Sequence, residues 1–385
     1  MSSRPDMPGA SARANARPKK LLFLVTEDWY FCSHRLPLAM AAKAAGFDVT
    51  VATRVRKHGA LIEEAGLRLV PFEMSRRGMN PVRELPTVFR LAALYRREKP
   101  DLVHHVAMKP VLYGSLAAKL ANVKHVVNAI AGLGWLYTSG DRSKKIIRAL
   151  VRGLFRWALK GSEIIVQNPD DLNQLKAMGL EQLHLIRGAG VDTQSFRPSD
   201  SPQGPPCVML VSRMLWDKGV GEFVAAARLL KREGIVGRFV LVGGHDSGNP
   251  AAIPESQLRS WKEEGVVEWW GQQKNMANVL AQAHISCLPS SYREGIPKSL
   301  LEAAACGLPI VTTDAPGCRE VVQNNVNGLL VPVKDSAALA DAIKKLVLDP
   351  DLCRRMGMAS REKAIKEFSQ GYIIQQTLNV YHLFK

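Results

Sequence analysis

Short apolar runs alternate with helical stretches along nearly the whole chain, and that alternation restricts it to parallel sheets covered by helices on both faces. The first series opens with Leu21-Leu22-Phe23-Leu24-Val25, an unbroken apolar run of the kind a strand shows when both its faces are covered. Further strand candidates are Asp48–Ala52, Leu67–Phe72, Leu102–Ala107, Val123–Ala129 and Glu163–Gln167, with helices beginning near His34, Pro81, Pro110, Arg142 and Pro169. A breaker-rich stretch from Arg197 to Pro206 interrupts the pattern. The second series predicts strands at Cys207–Val211, Phe239–Val242, Val266–Trp270, Ile285–Leu288, Ile310–Thr313 and Leu329–Val331, then helices near 336–348 and 359–368. The reading is α/β, with two doubly wound domains at 19–198 and 207–368 joined by a linker at 199–206. Residues 1–18 are expected to form a disordered basic tail, and 369–385 a C-terminal helix packing back on the first domain. Ligands in such sheets sit beyond the C-terminal strand ends, so the expected site is a cleft between the domains.

With 385 residues the chain can fill two cores, and 46% hydrophobic with 23% charged residues is ordinary for a soluble protein. No run approaches the roughly 18 apolar residues that a membrane span needs. Met1 to Pro18 lacks the apolar centre of a secretion signal. Six scattered cysteines show no metal-ligand or redox spacing, so they read as reduced, buried thiols of a cytoplasmic protein. The net charge of +17 favours anionic partners: nucleic acid, acidic lipid or phosphorylated substrates. Much of it concentrates in 142–160, where Lys144, Lys145, Arg148, Arg152 and Arg156 recur at helical spacing opposite Ile147, Leu150, Leu154, Trp157 and Ala158. Two readings stay open there, a surface helix packed on its own domain and a helix docked on an anionic bilayer.

The most informative segment runs from Glu294 to Pro309. It sets two carboxylates, Glu294 and Glu302, eight residues apart, one before a glycine-containing turn and one inside the helix that follows. Pro297 suits the first helical position, and Gly307 with Pro309 ends the helix. A turn feeding a helix N-terminus offers N–H groups and the positive dipole end to a phosphate, here through Gly295, Ile296 and Lys298. Glu302, a turn further in, suits ribose hydroxyls, and Glu294 suits a second polyol. That combination points to a nucleotide sugar.

The turn after Cys207–Val211 places Arg213 and Lys218 directly beyond a strand end. Sugar transfer builds negative charge on a departing diphosphate, and fixed cations lower that barrier. Arg offers a planar fork and Lys a point charge. Two solvated loop cations are the plain alternative. The Asp-x-Asp match at Asp349-Pro350-Asp351 lies between C-terminal helices and reads as a turn, so no metal site is expected.

These motifs, with Ala305-Cys306-Gly307-Leu308-Pro309, Gly328-Leu329-Leu330 and Gly190-Val191-Asp192, make the chain similar to family 4 glycosyltransferases. The resemblance covers nearly everything beyond the tail. It implies the GT-B fold, with two Rossmann-like domains facing a cleft, and retention of anomeric configuration without a metal. It also implies that Arg213 and Lys218 bind the diphosphate, Glu294 the donor sugar and Glu302 the ribose. The pattern departs in places: Gly295-Ile296-Pro297 stands where many members have Gly-Phe-Gly, which removes one N–H donor. Val106 falls where the second histidine of the family's His-x-His is expected, leaving His104, His105 and Lys109 as acceptor-side candidates beside structural roles.

Thr26 to Arg35 lacks the family's Gly-Gly pair; Ser33 can cap the next helix, and Trp29, Tyr30 and Phe31 read either as an aromatic lip or as packing against the domain's own loops. This tract and Asn128 to Tyr137 resemble bacterial members of capsule and O-antigen assembly, which extend sugars on a polyprenyl diphosphate. The expectation is therefore hexosyl or N-acetylhexosaminyl transfer from a nucleotide sugar, UDP-linked by preference, to a lipid-linked saccharide at the inner face of the cytoplasmic membrane. No cofactor, metal or nucleic acid is expected to take part. The rivals are an isomerase resembling UDP-N-acetylglucosamine 2-epimerase and a non-enzymatic basic scaffold.

Overall fold

Among the described residues (17–74, 81–133, 145–200 and 202–384 of a computed structural model), thirteen strands form two sheets. The first series supplies β1 Lys20–Glu27, β2 Asp48–Arg54, β3 Arg68–Pro71, β4 Leu102–Val106, β5 His125–Ile130, β6 Glu163–Val166 and β7 Leu183–Leu185. Their order in the sheet is β3-β2-β1-β4-β5-β6-β7, with parallel pairing at β3-β2, β2-β1, β1-β4 and β6-β7. The second series supplies β8 Cys207–Val211, β9 Arg238–Val242, β10 Glu268–Trp269, β11 Ile285–Leu288, β12 Ile310–Thr313 and β13 Gly328–Val331. These pair in parallel throughout, in the order β10-β9-β8-β11-β12-β13.

The apolar runs explain the layering. Along β8, Val208 and Leu210 enter one buried cluster with Val220, Phe223 and Leu230, while Cys207 and Met209 enter another with Leu280, Ala303 and Leu308. Strand β9 splits the same way, Phe239 and Leu241 to one side and Val240 and Val242 to the other. Side chains alternate across a strand, so an all-apolar strand is stable only with helices on both faces. Each such side chain contributes roughly 1.5–3 kcal/mol when taken out of water.

Side-chain caps hold several helix starts, one of them where the sequence suggested a turn. Asn168 accepts from the Asp171 amide (2.8 Å) at the start of the helix Pro169–Ala177. Asp349 does the same for Leu352 (2.8 Å) ahead of Pro350–Phe368, so Asp349-Pro350-Asp351 is a helix start.

Two local expectations fail. Strand β7 has only three residues, too few for a periodicity to register. The segment after β1 is a helix, Asp28–His34, followed by a second at Leu36–Ala44, rather than a loop leading to a helix near His34. Asp28 holds it: the buried carboxylate accepts from the amides of Trp29 (2.7 Å), Arg56 (2.6 Å) and His58 (2.9 Å). Burial pushes this carboxyl up, but the three amides outweigh it and leave its pKa lowered.

Compactness divides the chain at 127/128 rather than at the linker between the sheets. The residues after 128 are tied to later ones by backbone bonds, including Gly295 N to Ala131 O (3.0 Å) and Val191 N to Phe368 O (2.9 Å). The helix Gln370–His382 begins beside Gly190, whose φ of +76° and missing side chain admit the Gln370 backbone.

Candidate active site

The β8 and β11 strands are neighbours, so the turns leaving their C-terminal ends meet although they lie far apart in sequence. From β8 the chain passes Arg213, makes a 3-10 turn at Trp216–Lys218, and enters the helix Val220–Arg232 through Gly219. Gly219 sits at φ +74°, and a Cβ there would lie 2.1 Å from the Pro289 carbonyl oxygen, so the turn from β8 grazes the turn from β11. The result is a cluster of three side chains. Lys218 Nζ donates to Glu294 Oε2, Ser290 Oγ donates to Glu294 Oε1 at 2.7 Å, and the same hydroxyl lies 3.1 Å from the Asp217 carbonyl. The Lys218 and Glu294 side chains are each 14% exposed, so the pair is largely but not fully removed from water. Arg213 is more open, at 44%, and pairs with Asp246 at 2.8 Å. Behind Glu294 lies the buried Cys318 thiol, pushed up to about 12 chiefly by burial and secondarily by that carboxylate.

Glu302 lies in the helix Lys298–Ala305, whose N-cap is Pro297 (φ −63°, ψ 120°). Pro297 thus precedes the first helical residue instead of occupying it, a shift of one position. The Glu302 side chain is 10% exposed and paired with Lys298 at 3.4 Å. Burial raises its pKa, and Lys298 only partly opposes that rise.

The expected phosphate donors require a correction. The Gly295 N–H donates to the Ala131 carbonyl (3.0 Å) and the Ile296 N–H to Gln167 Oε1 (2.8 Å), so neither amide is open to a ligand in this conformation. The Ile296 side chain is buried with Leu300 and Leu301. Lys298 directs its ammonium at Glu302.

The acceptor-side candidates sit in the first sheet and its helices, and His104, His105 and Lys109 each have a structural occupation. His104 is fully buried in β4, stacked on Phe23 with ring centroids 5.1 Å apart. Burial, followed by Arg35 and His105, holds its pKa well below the usual value, so it is neutral. His105 is buried too, 3.0 Å from Tyr95 Oη, with its ring filling the space above Gly114. Lys109 is buried against Glu84 at 2.8 Å. Ser33 lies inside the helix Asp28–His34 and is not the N-cap of the next helix, which is Arg35. Of the aromatic lip, Phe31 is in the core against Phe23, and Tyr30 stacks on His34 at 4.1 Å.

In the basic helix, Lys145–Leu159, the description of side chains begins at Arg152, and 142–144 lie outside the described residues. Phe155, Ala158 and Leu159 form its buried face. Leu154 (41% exposed) and Trp157 (57%) face outward with Arg152 and Arg156, so the expected apolar face opposite the cations is split, part of it buried and part exposed. The cysteines are free thiols, four buried and two, Cys32 and Cys353, partly exposed. No helix among the described residues is long and apolar enough to cross a membrane.

Sequence reasoning missed Ser290, Asp246 and Gln167. Ser290 follows Pro289 beyond β11 and was legible as a strand-end hydroxyl; nothing local marks the other two.

Residues 20–168 match the family described as Glycosyl transferase 4-like, and residues 191–363 match Glycosyl transferases group 1. A Campylobacter jejuni relative, N,N'-diacetylbacillosaminyl-diphospho-undecaprenol alpha-1,3-N-acetylgalactosaminyltransferase, is 29% identical over 363 residues, covering 90% of this chain and 94% of the relative. The Bacillus subtilis putative glycosyltransferase EpsD is 26% identical, covering 95% of this chain and 97% of its own. Among solved structures, Anabaena HepE in complex with UDP and glucose superposes with a TM-score of 0.77 at 18% identity, over 94% of this chain and 99% of that one. Sucrose-phosphate synthase from Thermosynechococcus elongatus gives 0.76 at 21% identity, over 95% and 98%. Both halves of the chain thus belong to the glycosyltransferase family, and the protein is a glycosyltransferase enzyme of GT-B fold.

Proposed function

We propose that this enzyme moves a hexosyl or N-acetylhexosaminyl group, with retention, from a UDP-sugar to a saccharide carried on a lipid diphosphate, in surface polysaccharide synthesis. The observation that carries the donor half is the Lys218–Glu294–Ser290 cluster at the adjoining ends of β8 and β11. A donor entering there exchanges one anionic partner of Lys218, the Glu294 carboxylate, for another, its diphosphate. Glu294 is then released to accept hydrogen bonds from sugar hydroxyls, with Ser290 holding its second oxygen. Arg213, more exposed, takes the distal phosphate charge, and Glu302 receives the ribose hydroxyls. In the transfer step the bond from the anomeric carbon to the acceptor oxygen forms as the bond to the diphosphate breaks. The acceptor's proton passes to the departing phosphate oxygen, so no protein nucleophile is required, and the charge that develops falls on Lys218 and Arg213.

The acceptor half is supported by the relative whose name specifies an undecaprenol diphosphate saccharide and by the outward Leu154 and Trp157 beside Arg152 and Arg156. That surface suits peripheral contact with an anionic bilayer on the cytoplasmic side. The test is transfer from a panel of UDP-sugars to polyprenyl-diphosphate-linked saccharides. One donor should support turnover, and Glu294→Ala should reduce it about 100-fold or more with the fold intact. Undiminished turnover in that variant contradicts the assignment.

A further inference from the structure

Two consecutive side chains at the end of β6 reach the loop that carries Glu294. Gln167 Oε1 accepts from the Ile296 N–H at 2.8 Å, and Asn168 Nδ2 donates to the Glu294 carbonyl at 3.3 Å. The neighbouring Ala131 carbonyl accepts from the Gly295 N–H at 3.0 Å. Three glycines make the approach this close. A Cβ on Gly295 would lie 2.1 Å from Gln167 Oε1, one on Gly132 2.9 Å from the Glu294 carbonyl carbon, and one on Gly317 1.7 Å from the Gly295 carbonyl oxygen. Gln167 is buried and Asn168 fully so, which shields these bonds from water. Asn168 is already committed to capping Pro169–Ala177, whereas the bond from Ile296 gives the Gln167 carbonyl a separate task.

We propose that Gln167 is a positioning residue for the transfer reaction: through the Ile296 amide it fixes the backbone of 294–296 so that the Glu294 carboxylate faces Lys218 and Ser290. This rests on the donor-site reading above. Fixing φ and ψ at Gly295 has particular value, because a glycine beside a sugar-binding carboxylate otherwise frees it to swing. Gln167 touches no reacting atom, so its loss should appear in kcat, where the alignment of Glu294 counts, more than in donor KM.

The test compares Gln167→Leu, which removes the acceptor oxygen, with Gln167→Glu, which keeps one at the same reach. Gln167→Met, unbranched and of equal length, replaces leucine if that variant does not fold. Hydrogen–deuterium exchange over 293–298 reads the latch without reference to activity. Steady-state kinetics with the UDP-sugar and lipid-linked acceptor read its consequence. In the leucine variant exchange should quicken in that segment alone, kcat should fall about 10- to 100-fold and donor KM should move less than about threefold. Gln167→Glu should restore both measures towards wild type. Unchanged exchange in the leucine variant overturns the proposal, as does quickened exchange with wild-type kcat, or an equal kcat loss in both variants. Absence of turnover by the wild-type enzyme with every donor counts against the donor-site reading instead, and the exchange result then decides the latch by itself.

Discussion

Glu302 separates binding from stability at a single side chain. Its native pKa is raised, by burial first and against the pull of Lys298, so the folded state holds the proton more tightly than the unfolded one. Such a group adds stability that is complete below the ordinary carboxylate range and is lost as pH rises through the native pKa. Above the native pKa the buried charge is a cost, so at neutral pH Glu302→Gln should melt no lower than wild type, with any difference shrinking on acidification. The same substitution should weaken the donor by removing an acceptor for ribose hydroxyls. A variant that melts lower at neutral pH would show that the Lys298 pair outweighs burial. Residue type and position singled out Glu294, Glu302, Arg213 and Lys218 in the sequence, and the structure brings Lys218 and Glu294 together while Arg213 pairs with Asp246 and Glu302 with Lys298. Ser290 stood in the sequence as a strand-end hydroxyl that was passed over, whereas Asp246 and Gln167 were not legible: each meets its partner through a reach between distant loops, which no local pattern encodes.

At the scale of elements, twelve of the thirteen strands lie where the apolar runs put them, because buried parallel strands leave an unbroken apolar signature. Where helices start was less legible. The Asp28 carboxylate turns Asp28–His34 into helix through bonds to Arg56 and His58, a tertiary cause. The helix Met108–Leu120 begins from Ala107, a non-glycine residue at φ +72°, ψ 164°. Such backbone costs about 1–3 kcal/mol. Ala107→Gly relieves it while adding about 0.5–1 kcal/mol of chain entropy to the unfolded state, so it should raise the denaturation midpoint. A lowered midpoint would mean that the Ala107 methyl contributes packing worth more than the strain.

For the whole molecule, the net charge of +17 and the outward Leu154 and Trp157 make contact with an anionic surface testable. Flotation with vesicles containing phosphatidylglycerol should recover the wild-type chain, and Leu154→Glu with Trp157→Glu should reduce recovery several-fold at unchanged melting temperature. Equal recovery by both proteins would move the contact elsewhere. The fold and the enzyme class were legible because two βα series and one turn-helix motif converge on them. Donor and acceptor identity were not, since hydroxyl selectivity resides in pocket shape.

The central claim is that Lys218 exchanges Glu294 for a diphosphate, and calorimetric titration with UDP tests it most directly. Wild type should bind UDP, Lys218→Ala should bind it about 10- to 100-fold more weakly, as expected for loss of one charge-assisted hydrogen bond, and Glu294→Gln should bind it at least as tightly as wild type. Equal affinity in wild type and Lys218→Ala would contradict the account.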